Sequence, residues 1–300
     1  MNIYTALGLC FLPSIICFVC FAFFARIKIS SLLFAGLFGL LAVLPITFLQ
    51  FYFSEFFQMV ETASNHIKML QLFFKALIFN GLVEELLKMI FIVLIPVKKL
   101  KLKKYFLTVL LFGLFLGTFE SAVYLLREIQ TATQRNAQLI YNIVYVRIFT
   151  ADLIHTCCAG LCGLFVWGVR KKRIDVLSVI FAVFIHGAFD FFVQLGFSSY
   201  WLAAVSVLFA IMECRVRYVK QTNQDESVAA ENETIIVFQQ NDEPGEKRRK
   251  MDSSIVGISP TKPKDYDERK TSKKEKKDSD ADKTQEASLV RKMKKTRKSF

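Results

Sequence analysis

Six ionisable residues stand inside apolar stretches of this chain: Glu84, Glu85, Glu120, His155, His186 and Asp190. Placing one charged group at mid-bilayer costs roughly 3 kcal/mol even on a lenient insertion scale. Carboxylates and imidazoles are also the side chains that exchange protons near neutral pH and that hold divalent metals. The six come from four separate stretches. Their chemistry predicts that they converge around water, as a polar catalytic site inside a membrane.

The local patterns say how each one can act. In Asn80-Gly81-Leu82-Val83-Glu84-Glu85-Leu86-Leu87-Lys88 the two glutamates point about 100° apart on a helix. Lys88 lies one turn beyond both. One carboxylate can pair with Lys88 while the other faces a different neighbour. A packing salt bridge between Glu84 and Lys88 would explain that pair but not Glu85. Glu120 follows Gly113 and Gly117, a small-xxx-small pattern that admits a close helix neighbour. Asp152 stands three residues before His155 and is expected to orient its ring. His186 and Asp190 are one turn apart on one face, an arrangement that selects a histidine tautomer. Counted inward at helical rise, His155, Asp190 and Glu120 lie about 12, 8 and 9 Å from the outer end, with the glutamate pair deeper.

Seven apolar stretches are long enough to position these residues: 3–25, 31–53, 71–96, 105–126, 148–169, 174–195 and 199–219. The expectation is an all-α, polytopic membrane helix bundle of about seven transmembrane helices. Basic residues fall on alternate loops: Arg26 and Lys28, Lys98 to Lys104, Arg170 to Arg173, then Arg215, Arg217 and Lys220. The positive-inside rule then puts the N-terminus outside and the C-terminus in the cytoplasm. The N-terminal stretch has no basic residue before it and reads as a first span rather than a cleaved signal. Segment 54–70, with His66, is expected at the outer interface, His66 as a surface histidine.

The domain expectation is a membrane-embedded helical unit at 1–220, with the polar motifs in its core at 75–195, and a polar tail at 221–300. The tail carries little apolar content and is expected to be disordered. Its end, Arg291 to Lys298, is basic enough to meet anionic lipid on the cytoplasmic leaflet. Asn232-Glu233-Thr234 is a glycosylation sequon that a cytoplasmic tail leaves unmodified. The net charge of +13 lies mostly in the short membrane loops. It is a topology signal and gives no reason to expect a nucleic-acid partner. The seven cysteines all lie in apolar stretches and read as small hydrophobes, not as a disulfide framework.

The order of motifs resembles the PrsW family of intramembrane proteases, distantly related to the CAAX prenyl endopeptidases and Abi proteins. Glu84-Glu85-x-x-Lys88 matches the first motif. Glu120 matches the second, although Leu116 and Ser121 stand where the family often has Phe and Asn. His155 with Gly160 fits the third, and His186-Gly-Ala-Phe-Asp190 the fourth. The resemblance implies a multi-pass intramembrane endopeptidase that hydrolyses a membrane-anchored regulatory protein, with a single-pass substrate cut near its outer boundary. It implies Glu84, Glu85, Glu120, His155, His186 and Asp190 as catalytic residues and Lys88 as support. Glu84 or Glu85 would take a proton from water, and the histidines would bind water or oxyanion. Two variants stay open: zinc held by His155, His186 and Glu120, or a metal-free Glu/His mechanism. Two other classes use similar residues. A transporter or proton relay gathers Glu, His and Asp in its spans, but neither internal repeats nor broken helices near the polar set are visible. A catalytically inactive scaffold of the same fold differs only in failing to cleave.

Overall fold

The computed structural model describes residues 3–58, 65–95, 100–131, 146–147, 149–196 and 199–241. The chain divides into two units, Met1–Val237 and Phe238–Phe300; the site described below lies in the first. The described residues are nearly all helical and contain no strand. The helices are α1 (Ile3–Phe23), α2 (Ile29–Gln58), α3 (Asn65–Phe74), a π-helix (Lys75–Val83), α4 (Glu84–Leu94), α5 (Leu102–Thr131), α6 (Ala151–Arg170), α7 (Val176–Gln194) and α8 (Tyr200–Asn241).

Among these, five are long and apolar enough to cross a membrane: α1, α2, α5, α6 and α7. Their outward faces carry large apolar side chains in the open, such as Phe23 at 75% and Phe48 at 68% exposure. Patches of that kind mark contact with an apolar phase. The molecule is an integral, multi-pass membrane protein. The stretch expected to span at 71–96 is helical without interruption but changes its winding twice. Phe74, Val83 and Glu84 all keep right-handed helical dihedrals across the junctions. It stops at Ile95, whose ψ of 122° is extended. The following proline, Pro96 in the sequence, disfavours helical geometry at the residue before it. The stretch expected at 199–219 is the first half of α8, which runs on as helix to Asn241. Residues 221–241, expected in the disordered tail, are therefore helical backbone. The remainder of the tail lies outside the described residues, as do the side chains of His66 and of the 232–234 sequon.

The core sits between α2, α4, α5, α6 and α7 and includes Leu32, Ile92, Phe112, Leu116, Ile154 and Leu161. Helix α6 is its centre, buried along most of its length. Helix α5 comes close to it because Gly113 and Gly117 carry no side chain. A Cβ at Gly117 would lie 2.9 Å from Asp152 Cα, and one at Gly113 would lie 2.6 Å from the His155 carbonyl. Gly81 does the same for the π-helix: a Cβ there would stand 2.6 Å from the Val183 carbonyl of α7, beside Gly187. Small residues let helix backbones approach in lipid, where no hydrophobic force drives them together. These contacts draw the acidic and imidazole groups to one place.

Candidate active site

Glu84 and Glu85 open α4 directly after the π-helix, and both are buried with Lys88. π-Helical turns are rare and frequently mark functional sites. From α5 comes Glu120, from α6 His155, and from α7 His186 and Asp190. Among them only Asp190 is appreciably open, its side chain 23% exposed. All six residues singled out in the sequence, and Lys88, stand in this one group.

Glu84 Oε1 lies at its middle. It is 3.2 Å from His155 Nδ1, 3.8 Å from His186 Nε2 and 3.0 Å from Lys88 Nζ. Glu84 Oε1 is thus ion-paired with Lys88, and none of the three contacts is aligned as a hydrogen bond. The two imidazoles stand 5.0 Å apart at 80°. The outward nitrogen of each is held by a carboxylate. His186 Nδ1 contacts Glu85 Oε1 at 2.6 Å, and His155 Nε2 contacts Glu120 Oε2 at 2.5 Å. That leaves His186 Nε2 turned toward Glu84, and His155 Nδ1 between Glu84 and Lys88 Nζ, which it meets at 3.0 Å.

Glu85 has little capacity left. Its Oε1 accepts from Lys88 Nζ at 2.6 Å as well as facing His186, and its Oε2 accepts from the Cys162 thiol at 3.4 Å. Glu85 is therefore the residue that orients His186. The sequence spacing assigned that task to Asp190, whose Oδ2 is 4.0 Å from His186 Nε2 and which pairs with Asn80. Likewise Asp152 does not hold His155. It accepts from Ser121 Oγ at 2.8 Å, and Ser121 accepts in turn from Arg147 Nε at 3.2 Å. Arg147 also lies 3.5 Å from Glu120 and 4.1 Å above the Tyr124 ring, closing the outer side of the group. In both cases the carboxylate one turn away lost to one on a neighbouring helix, which approaches the ring from its free side.

The donors Glu84, His155 and His186 lie within 4.8 Å of one another, a set that could hold a metal ion. The ligand set expected from the sequence had Glu120 in place of Glu84. Glu120 instead stands on the outer nitrogen of His155. The oxygen of Glu84 set between two imidazoles, each backed by a carboxylate, fits a cation and repeats the carboxylate–histidine–metal arrangement of many sites.

Residues 28–213 match the family described as PrsW family intramembrane metalloprotease. The chain belongs to that family. It is therefore a membrane-embedded protease, and the matched region contains every residue of the group above. No curated protein and no solved structure matches the chain.

One residue of the site escaped the sequence reading. Gln50 of α2 donates from Nε2 to Glu84 Oε2 at 3.2 Å. The only signal available was an amide within an otherwise apolar span, Phe48-Leu49-Gln50-Phe51.

Proposed function

We propose that this protease cleaves a membrane-anchored regulatory protein with a single transmembrane helix, near the outer boundary of the bilayer, and that it does so with a metal ion. The observation that carries the reading is the grouping of one Glu84 oxygen and two imidazole nitrogens within 4.8 Å of one another, with carboxylates holding both imidazoles from behind. Glu84, His155 and His186 would hold the ion. Zinc suits one carboxylate and two imidazoles, and when bound it supplies a Lewis acid that brings a water's pKa to about 7.

The chain's own residues do the rest. Glu85 keeps His186 in the tautomer and rotation that turns Nε2 inward, and Glu120 does so for His155 Nδ1. Lys88 offsets part of the carboxylate charge and keeps Glu85 in place. Asp190 is the acceptor with the most room, its side chain 23% exposed. It is the least buried carboxylate of the catalytic set and stands beside His186 Nε2, so it takes the proton of the attacking water and returns it to the leaving amine. Glu85, saturated with donors, is not free for that role. A transmembrane helix hides its carbonyls in hydrogen bonds, so the substrate must unwind locally to be cut. A shallow crevice where α2 meets the π-helix and α4, lined by Ile46, Phe79 and Leu87, ends at Glu84.

The topology belongs to the same proposal: about seven crossings, the N-terminus outside and the tail in the cytoplasm, its basic end on anionic lipid. It is supported by the basic residues gathering at one end of the bundle. Lys104 reaches the Arg26 carbonyl at 2.9 Å, and Arg170 reaches the Val93 carbonyl at 2.8 Å. Nucleic acid has no part in it.

The test is reconstitution of the full chain with a single-pass substrate, with metal content measured on the same sample. Asp190→Asn is expected to lower kcat by about 10²–10⁴-fold while metal uptake stays at the wild-type level. Wild-type protein that is folded and metal-loaded but cleaves no single-pass substrate would end the substrate reading. A chain that cleaves with no metal bound would end the metal reading.

A further inference from the structure

Two of the three central donors have an outer partner that itself belongs to one of the motifs: His186 has Glu85 and His155 has Glu120. The third, Glu84, has one from a helix that carries none of the motifs. Gln50 Nε2 reaches Glu84 Oε2 at 3.2 Å across 34 residues of sequence. Gln50 is half-buried and sits on the rim of the crevice between α2 and the π-helix, with Ile46 and Leu49 on its own helix and Phe79 and Val83 opposite. An amide inside an apolar span has no other polar neighbour to serve there among the contacts the structure gives.

We propose that Gln50 is a positioning residue of the metal centre, completing a ring of three outer partners by holding Glu84. The carboxylate has two oxygens and one rotation about its last bond. With Oε2 held from the α2 side, Oε1 is turned inward between His155 Nδ1 and His186 Nε2. Without that donor only the contacts of Oε1 fix the carboxylate, and it can tilt to offer both oxygens to Lys88, whose Nζ already lies 3.0 Å from Oε1. Outer partners fix the orientation of metal-binding side chains, and their loss typically weakens metal affinity or activity by about 10–100-fold. The proposal rests on the reading that Glu84, His155 and His186 hold the metal.

The test uses the full chain in detergent micelles, stripped of metal and titrated with Zn²⁺, and with Co²⁺ for its visible spectrum. Gln50→Met keeps the length of the side chain and removes the donor. The expected result is Zn²⁺ affinity about 10–100-fold weaker and an altered Co²⁺ spectrum, with the metal-free protein unfolding at the wild-type temperature. A merely structural role would shift that temperature and leave the spectrum of the bound ion alone. Wild-type affinity and spectrum in folded Gln50→Met overturn the proposal. If that variant does not fold, Gln50→Asn, which retracts the amide by one methylene, is read the same way: weaker binding supports the proposal and wild-type binding overturns it. His186→Ala, which removes a ligand, shows that the uptake is at this site. A wild-type chain that cleaves substrate without taking up either ion sinks the metal reading itself. Gln50 is then judged by kinetics: a fall in kcat at unchanged KM supports its hold on Glu84, and an unchanged kcat overturns it.

Discussion

Two groups of charged side chains lie in this bundle, and they are built differently. Around Glu84 stand five carboxylates, those of Glu84, Glu85, Glu120, Asp152 and Asp190, with Lys88 and Arg147 as the permanent cations among them. At the basic end, α6, α7 and α8 share Asp175, Glu213 and Asp225 with Arg173, Arg217 and Lys220. Arg217 contacts Asp175 at 2.8 Å and Glu213 at 2.6 Å, Lys220 lies 3.6 Å from Asp175, and Arg173 pairs with Asp225, which also accepts from Trp167 at 3.1 Å. The second group balances charge for charge and fastens α8 to its neighbours. The first sets five carboxylates against two permanent cations and two imidazoles in a buried place, where charge is most expensive. A fastening has no reason to be out of balance. A site that takes a cation does.

That contrast can be broken by experiment. The largest effect is expected from Glu84→Gln and His186→Ala, each of which removes a metal donor. Cleavage should fall by at least about 10²–10⁴-fold with cellular abundance unchanged, measured as processing of a co-expressed substrate beside an immunoblot. Cleavage at the wild-type rate by both would make the acidic group as ordinary as the basic-end one. Lys88→Met takes the buried cation away from two buried carboxylates. It should destabilise the metal-free protein by about 3–5 kcal/mol, seen as a lower midpoint of unfolding in detergent, with part of the loss restored by added Zn²⁺. No loss would mean that the carboxylates do not carry the charge assigned to them. Glu120→Gln keeps the shape of the outer partner of His155 and removes its charge. Zn²⁺ affinity should drop about 10–100-fold, read by competition with a chromophoric chelator, and wild-type affinity would remove Glu120 from the site. Lys220→Ala, in the balanced group and about half exposed, should change stability by under about 1 kcal/mol and leave cleavage as it is. A loss of cleavage there would show that the basic end is coupled to the site.

Much of this was legible before any coordinates. The spans stand out because a helix against lipid must be apolar on every side, as α1 and α2 are. Glu84, Glu85, His155, His186 and Asp190 stand out because their cost in such a helix needs a reason. The pairings were not legible. Spacing of three or four residues names neighbours on the same helix, and so it proposed Asp152 for His155 and Asp190 for His186. The rings are held instead by Glu120 and Glu85, from other helices. Gln50 was invisible for the same reason: nothing in α2 refers to a carboxylate on α4. The π-helix before Glu84 was also hidden, since Lys75–Val83 carries no proline to announce a change of winding.

By itself the amino-acid order determined that the chain lives in a bilayer, which way its loops are biased, and which acids and imidazoles are too expensive to be incidental. Those follow from the transfer free energy of each side chain, a local quantity. Tertiary structure alone decided which oxygen faces which nitrogen, which carboxylate of the pair lies between the two imidazoles, and which helix supplies the third outer partner. Those depend on how helices rotate and approach, and that is set by contacts such as Gly81 on Val183 and Gly117 on Asp152, made between residues far apart along the chain.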